Sequence, residues 1–139
     1  MKVLLSIKPE YADKIFDRSK KFEFRKSMFR HADVRTIVVY ATKPVGRIVG
    51  EFEVEGVLCE SPERLWTLTQ TSAGISKQFF DEYFSGRSKA FAIKVGQIHK
   101  FSEPLNPSDL IENFTPPQSF MYVDDSFERP QVSQMVLAL

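Results

Sequence analysis

The chain has 139 residues, of which 42% are hydrophobic and 13% aromatic, and a net charge of +1. That length fits one domain, and that apolar content excludes a chain that is disordered throughout. A near-neutral total does not mark a nucleic-acid binder by bulk charge, and Cys59, the only cysteine, excludes an intramolecular disulfide.

Val3-Leu4-Leu5-Ser6-Ile7 reads as a buried first strand. Lys8-Pro9-Glu10 turns into a helix, with Pro9 in the first turn where its missing N–H costs nothing. Tyr11, Ala12, Ile15 and Phe16 give that helix one apolar face, and it ends near Asp17-Arg18-Ser19. Phe22-Glu23-Phe24-Arg25 then reads as a short strand. Strict alternation sets Phe22 and Phe24 on one face and Lys21, Glu23 and Arg25 on the other. Phenylalanines anchored in a core would hold the charges on a rigid support. A carboxylate beside a guanidinium offers an acceptor and a planar donor fork to one ligand. The plain alternative is a charged outer face whose ions pair in water and contribute little.

Residues 27–33 form a basic loop, and Thr36-Ile37-Val38-Val39-Tyr40-Ala41 is apolar enough for a central strand. After a turn punctuated by Pro44 and Gly46, residues 47–58 alternate as a long half-buried strand with Glu51, Glu53 and Glu55 outward. Gly50 and Gly56 are expected to mark bends in it. Ser61 caps a helix whose buried side is expected to be Leu65, Trp66 and Leu68. Residues 72–75 break it, and Ser76 caps a second helix with Phe79, Phe80, Tyr83 and Phe84. A helix-turn-helix reader is disfavoured, since the second helix carries Asp81 and Glu82, which repel phosphate. A helical insertion packed on the sheet by its aromatics fits better. Residues 88–101 return to strand. The proline-punctuated segment that follows holds at most a short helix at 108–112.

The pattern Ile15-Phe16-Asp17-Arg18-Ser19-Lys20-Lys21-Phe22-Glu23-Phe24-Arg25 resembles the signature of the ASCH domain family, within the PUA-like superfamily. That signature has a glycine, then Lys two on, Glu five on and Arg seven on, which Lys20, Glu23 and Arg25 match. Arg18 holds the glycine's place, and a turn of another type is therefore expected before the strand. The strand–turn–strand around Ile48-Val49-Gly50-Glu51-Phe52 and the closing Pro116-Pro117-Gln118-Ser119-Phe120-Met121-Tyr122 are also similar to this family. The resemblance covers about residues 3 to 122.

The resemblance implies a PUA-like α+β fold, a curled, mostly antiparallel sheet or pseudo-barrel with packed helices. The domain would span 1–123, with 124–139 as an extension whose apolar end, Val132 to Leu139, needs a partner surface. It implies a pocket lined by Lys20, Glu23 and Arg25, with Ser6, Lys8, Tyr40 and Ser119 near it. Gln118, Ser119 and Phe120 would lie over its mouth. The implied function is binding of nucleic acid, chiefly single-stranded or structured RNA. One base would be taken into the pocket and stacked on Tyr40, Trp66 or Phe120. A role in regulating transcription or translation would follow.

Some relatives of this kind are amidohydrolases acting on acetylated cytidine, but Glu23 stands where they carry a threonine nucleophile. Others are ribonucleases, and a set such as Lys20, Tyr40 and Ser119 would do their acid–base work only if a pKa moves toward neutral. That remains the alternative function, and the catalytic residues are open.

Charge patterning adds to the case for an anionic partner. Residues 18–35 hold seven basic residues against Glu23 and Asp33, while 102–139 hold six acidic residues against Arg129. Lys21, Lys26 and Arg30 are expected as outer phosphate contacts. His31 and His99 lack cysteines or carboxylates at ligand spacing, so no metal is expected. No glycine-rich phosphate loop or dinucleotide fingerprint occurs, so no cofactor is expected. Cys59 has no evident base and reads as a core residue. The first residues hold too short an apolar run for a signal peptide, and no run is long enough to cross a membrane. The expectation is a cytoplasmic protein with no membrane partner.

Overall fold

The computed structural model describes residues 1–123. Within them, six strands form one sheet: β1 (Lys2–Ile7), β2 (Phe22–Arg25), β3 (Thr36–Ala41), β4 (Arg47–Glu60), β5 (Ala90–Leu105) and β6 (Phe120–Val123). Three helices accompany it: α1 (Pro9–Phe16), α2 (Pro62–Thr69) and α3 (Lys77–Tyr83). The strand order is β2-β5-β4-β3-β1-β6. Every neighbouring pair is antiparallel except β1 and β3, which run parallel with Val3 opposite Ile37 and Ile7 opposite Ala41. The sheet is a curled half-barrel, the PUA-like α+β architecture the sequence implies.

The curl has local causes. Register shifts interrupt the β4–β5 ladder between Ile48 and Gly50, between Phe52 and Val54, and between Val54 and Gly56. Each shift leaves an extra residue on one strand and bends it, beside both glycines expected to mark bends. Gly50 also admits Phe16, since a Cβ there would stand 2.6 Å from that ring.

Three apolar clusters hold the elements. Ile15 and Ala12 of α1 pack on Val3, Leu5, Ile37, Val39 and Phe52. On the other face of the sheet, Leu4, Val38, Tyr40, Ile48 and Phe101 meet Leu110, Ile111 and Phe114. The third cluster joins Leu65 of α2 and Phe80 and Phe84 at α3 to Phe24, Ala90 and Ala92. Full burial of a ring such as Phe80, which has no exposed surface, contributes about 1.5–3 kcal/mol. Ser61 and Ser76 cap α2 and α3 as their spacing predicts, accepting from the N–H groups of Arg64 and Phe79.

Four expectations are corrected. Leu68, expected on the buried side of α2, is 44% exposed, while Leu65 is fully buried. Residues 120–123 are a paired edge strand, which alternation over so few residues did not reveal. Cys59 is exposed on β4 and not a core residue. Arg18 itself adopts φ 74°, so the turn before β2 takes the left-handed geometry that a glycine would permit instead of changing type. The Arg18 guanidinium donates to the Gly96 carbonyl at 3.1 Å, one contact that offsets the backbone cost. The expected extension 124–139 lies outside the described residues.

Candidate nucleic-acid pocket

The parallel pair β1–β3 carries Ser6, Ile7, Lys8 and Thr42 to one end of the sheet, where the Thr42 N–H donates to the Ile7 carbonyl. β2 lies at one edge of the strand order and β1 near the other. Because the sheet curls, residues of both strands line one cavity of about 370 Å³. That volume suits a single small ligand group. Its lining includes Ser6 and Lys8 from β1 and the turn after it, Tyr11 from α1, and Glu23 and Arg25 from β2. Phe79 and Tyr83 of α3 form a further wall, and Pro117 and Gln118 close the side next to β6.

The floor is charged and largely buried. Lys20 is only 2% exposed, just before β2. Its ammonium donates to the Ala73 carbonyl at 3.0 Å and stands 3.9 Å from Glu23 Oε1. It also lies 4.7 Å from the centre of the Phe24 ring, whose face attracts a cation. Burial pulls the Lys20 pKa down from its ordinary value, Glu23 opposes that, and Lys14 adds to it. Glu23 Oε2 accepts from Arg25 Nη1 at 3.1 Å. The other arm of Arg25, Nη2, donates to Ser119 Oγ at 2.6 Å. That bond joins one edge strand to the segment leading into the other, across the open seam of the half-barrel. On the β6 side of the seam Ser6 of β1 fixes the segment before β6: its hydroxyl donates to the Pro117 carbonyl at 2.7 Å, and its N–H to the Ser119 carbonyl at 3.1 Å.

Gly74 makes this floor possible. It has φ +71°, and a Cβ there would stand 2.5 Å from Lys20 Cβ and Cγ. Only glycine lets the backbone after α2 lie against the lysine stem and present Ala73 to its ammonium.

Of the residues expected at the pocket, Lys20, Glu23, Arg25, Ser6 and Lys8 line it, and Ser119 touches it through Arg25. Tyr40 does not line it. It is 3% exposed in the cluster with Leu4 and Ile48, its ring edge-on to Phe114 at 5.3 Å. Trp66 packs on Phe80, and Phe120 packs on Phe29 and Tyr122, so neither expected stacking ring reaches the cavity. The rings that do line it are Tyr11, Phe24, Phe79 and Tyr83. Burial is the first cause raising the pKa of both Tyr11 and Tyr83, so each keeps a neutral hydroxyl at ordinary pH. A signal for two of these rings was present in the sequence. Aromatics at 79, 80, 83 and 84 make two stripes on one helix, and the core takes only Phe80 and Phe84.

The outer cations separate. Lys26 stands beside the pocket, its ammonium 4.8 Å from the centre of the Tyr83 ring. Lys21 borders a groove shared with Arg18 and Lys94, and Arg30 borders another with His31 and Arg35. Among the described residues, no three His, Cys, Asp or Glu side chains gather as a metal site would need, and no helix is long and apolar enough to cross a membrane.

A charged, seam-closed pocket at one end of a PUA-like half-barrel defines the class of domain. The chain belongs to the ASCH domain family, whose model matches residues 5–99. It is 32% identical over 123 residues to the ASCH domain-containing ribonuclease of Zymomonas mobilis, covering 86% of this chain and 82% of that protein. The crystal structure of ASCH from Zymomonas mobilis superposes with a TM-score of 0.82 at 28% identity, covering 99% of this chain and 94% of that one. The chain is also 31% identical over 123 residues to the large ribosomal subunit protein uL22 of Ureaplasma parvum. The match takes in 87% of this chain but only 39% of that protein's length.

Proposed function

We propose that this domain binds RNA and takes one nucleobase into the pocket between β2, α1 and α3. The observation that carries it is the Lys20–Glu23–Arg25 floor under a wall of half-buried rings. Lys20 and Arg25 against Glu23 leave one net positive charge, which favours a ligand edge rich in acceptors. Glu23 supplies an acceptor for a base N–H. Phe79 and Tyr83 offer ring faces of the kind bases stack on in single-stranded RNA. Lys26 serves as a phosphate contact beside the pocket, and Lys21 and Arg30, on separate grooves, meet only a strand that continues beyond it.

The test is Glu23→Gln, which is nearly isosteric. The fold should remain, with a lower melting temperature from the weakened pairing to Arg25 and Lys20. Affinity for the preferred oligonucleotide should fall by about 1–3 kcal/mol, the scale of one charged hydrogen bond. Non-specific binding, which depends on phosphates, should hardly change. A lower melting temperature with every affinity intact would sink the pocket.

Ribonuclease action is a second reading, favoured by the relative of that name and by the downward shift of the Lys20 pKa. It ranks second because, of Lys20, Tyr40 and Ser119, only Lys20 lines the cavity. RNA cleavage by the pure protein that disappears in Lys20→Ala, while RNA binding remains, would raise it to first.

A further inference from the structure

Two exposed lysines stand against the ring wall of the pocket. Lys8, between β1 and α1, holds its ammonium 5.6 Å from the centre of the Phe79 ring. Lys26, just after β2, holds its own 4.8 Å from the centre of the Tyr83 ring. Phe79 and Tyr83 are one helical turn apart, with ring centres separated by 6.3 Å and planes within 10° of parallel. Two cations from different elements therefore stand over two successive rings of one wall. Among the described residues neither lysine is in an ion pair. The attraction of an exposed cation to a ring face is weak beside the rotamer freedom of a lysine side chain, so neither ammonium is locked in place. The rings bias both ammonium groups toward the pocket without consuming their charge.

We propose that the ligand is an internal nucleotide of an RNA strand, with its base in the pocket and the phosphates on its two sides held separately by Lys8 and Lys26. This rests on the base-binding reading above. A base at the end of a chain, or a free nucleoside, fills the same cavity but leaves one or both cations without a phosphate. Lys20 cannot substitute for them, since its ammonium is committed to Ala73, Glu23 and the Phe24 face beneath the wall.

The experiment is a titration of the full chain with a ladder of ligands. The ladder comprises the four ribonucleosides, their 5′- and 3′-monophosphates and their 3′,5′-bisphosphates. For the preferred base, each phosphate should tighten binding about two- to fivefold, the scale of an exposed ion pair. Lys8→Ala should erase the gain from one phosphate and Lys26→Ala the gain from the other. Both variants should leave the melting temperature near wild type, and because Lys8 also lines the cavity each phosphate gain is read as a ratio to the same variant's nucleoside affinity. Lys100→Ala, at an exposed position of β5 outside the cavity, should leave the whole ladder unchanged. Glu23→Gln should weaken every member. A flat ladder, or two lysine variants that erase the same step, overturns the proposal. If Glu23→Gln still weakens the nucleoside in that case, base binding stands without the clamp. If no member depends on Glu23, both fall together.

Discussion

Lys20 and Lys21 are neighbours in sequence and opposites in structure. Lys20 is buried under the pocket, held by a carbonyl, a carboxylate and a ring face. Lys21 is exposed on the outer groove, near Arg18 and the surface pair Lys94–Glu55 at 3.1 Å. The chemistry of the two side chains is the same, and the solvent around them is not. In water, a charge pair of this kind contributes little and its loss is tolerated. Out of water, each charge needs a partner, and every atom that supplies one becomes hard to change. Effects of substitution should therefore be large on the Lys20 side and small on the Lys21 side.

The largest effect is expected at Gly74. Alanine there meets a left-handed backbone and the Lys20 stem together. The expected loss is about 2–4 kcal/mol, from the conformational cost and the overpacking combined. Denaturant melts of Gly74→Ala measure it, and a loss below about 1 kcal/mol would mean that the Lys20 stem shifts freely.

An intermediate effect is expected from pH at Lys20. Its pKa is lowered in the folded state, chiefly by burial. Between that lowered value and the ordinary lysine range, the unfolded chain binds more protons than the folded one, so stability attributable to Lys20 rises with pH there. Below the lowered value the full cost of burying the cation is present. Lys20→Met, which keeps the stem and the Glu23–Arg25 pair, should gain on wild type at neutral pH and lose that advantage as pH rises toward 10. Melting temperatures of both proteins across that range decide it. A constant difference would show that the lysine does not titrate out of step with the unfolded chain.

The smallest effect is expected at Arg18, on the solvent side. Arg18→Gly relieves a positive φ but gives up the contact to Gly96 and adds freedom to the unfolded chain. The net gain should be at most about 1 kcal/mol. A loss larger than that would show that the contact to Gly96 holds the turn.

The local elements were written in the chain itself. Alternation over residues 47–58, the serine caps before α2 and α3, and the apolar run of β3 depend only on neighbours in sequence, so period and propensity were enough to find them. Lys20, Glu23 and Arg25 were legible for the same reason, as three positions of one short motif. What tertiary structure decided is which side chains meet across the seam. β2 and β6 are at opposite ends of the strand order, and only the curl of the sheet brings Arg25 to Ser119, 94 positions away. Packing of Phe80 and Phe84 on Phe24 sets α3 beside β2, so Phe79 and Tyr83 became the ring wall while Tyr40, Trp66 and Phe120 were taken by other packing. Composition marks a ring as apolar, but which cavity it faces depends on where a bent sheet brings its edges together.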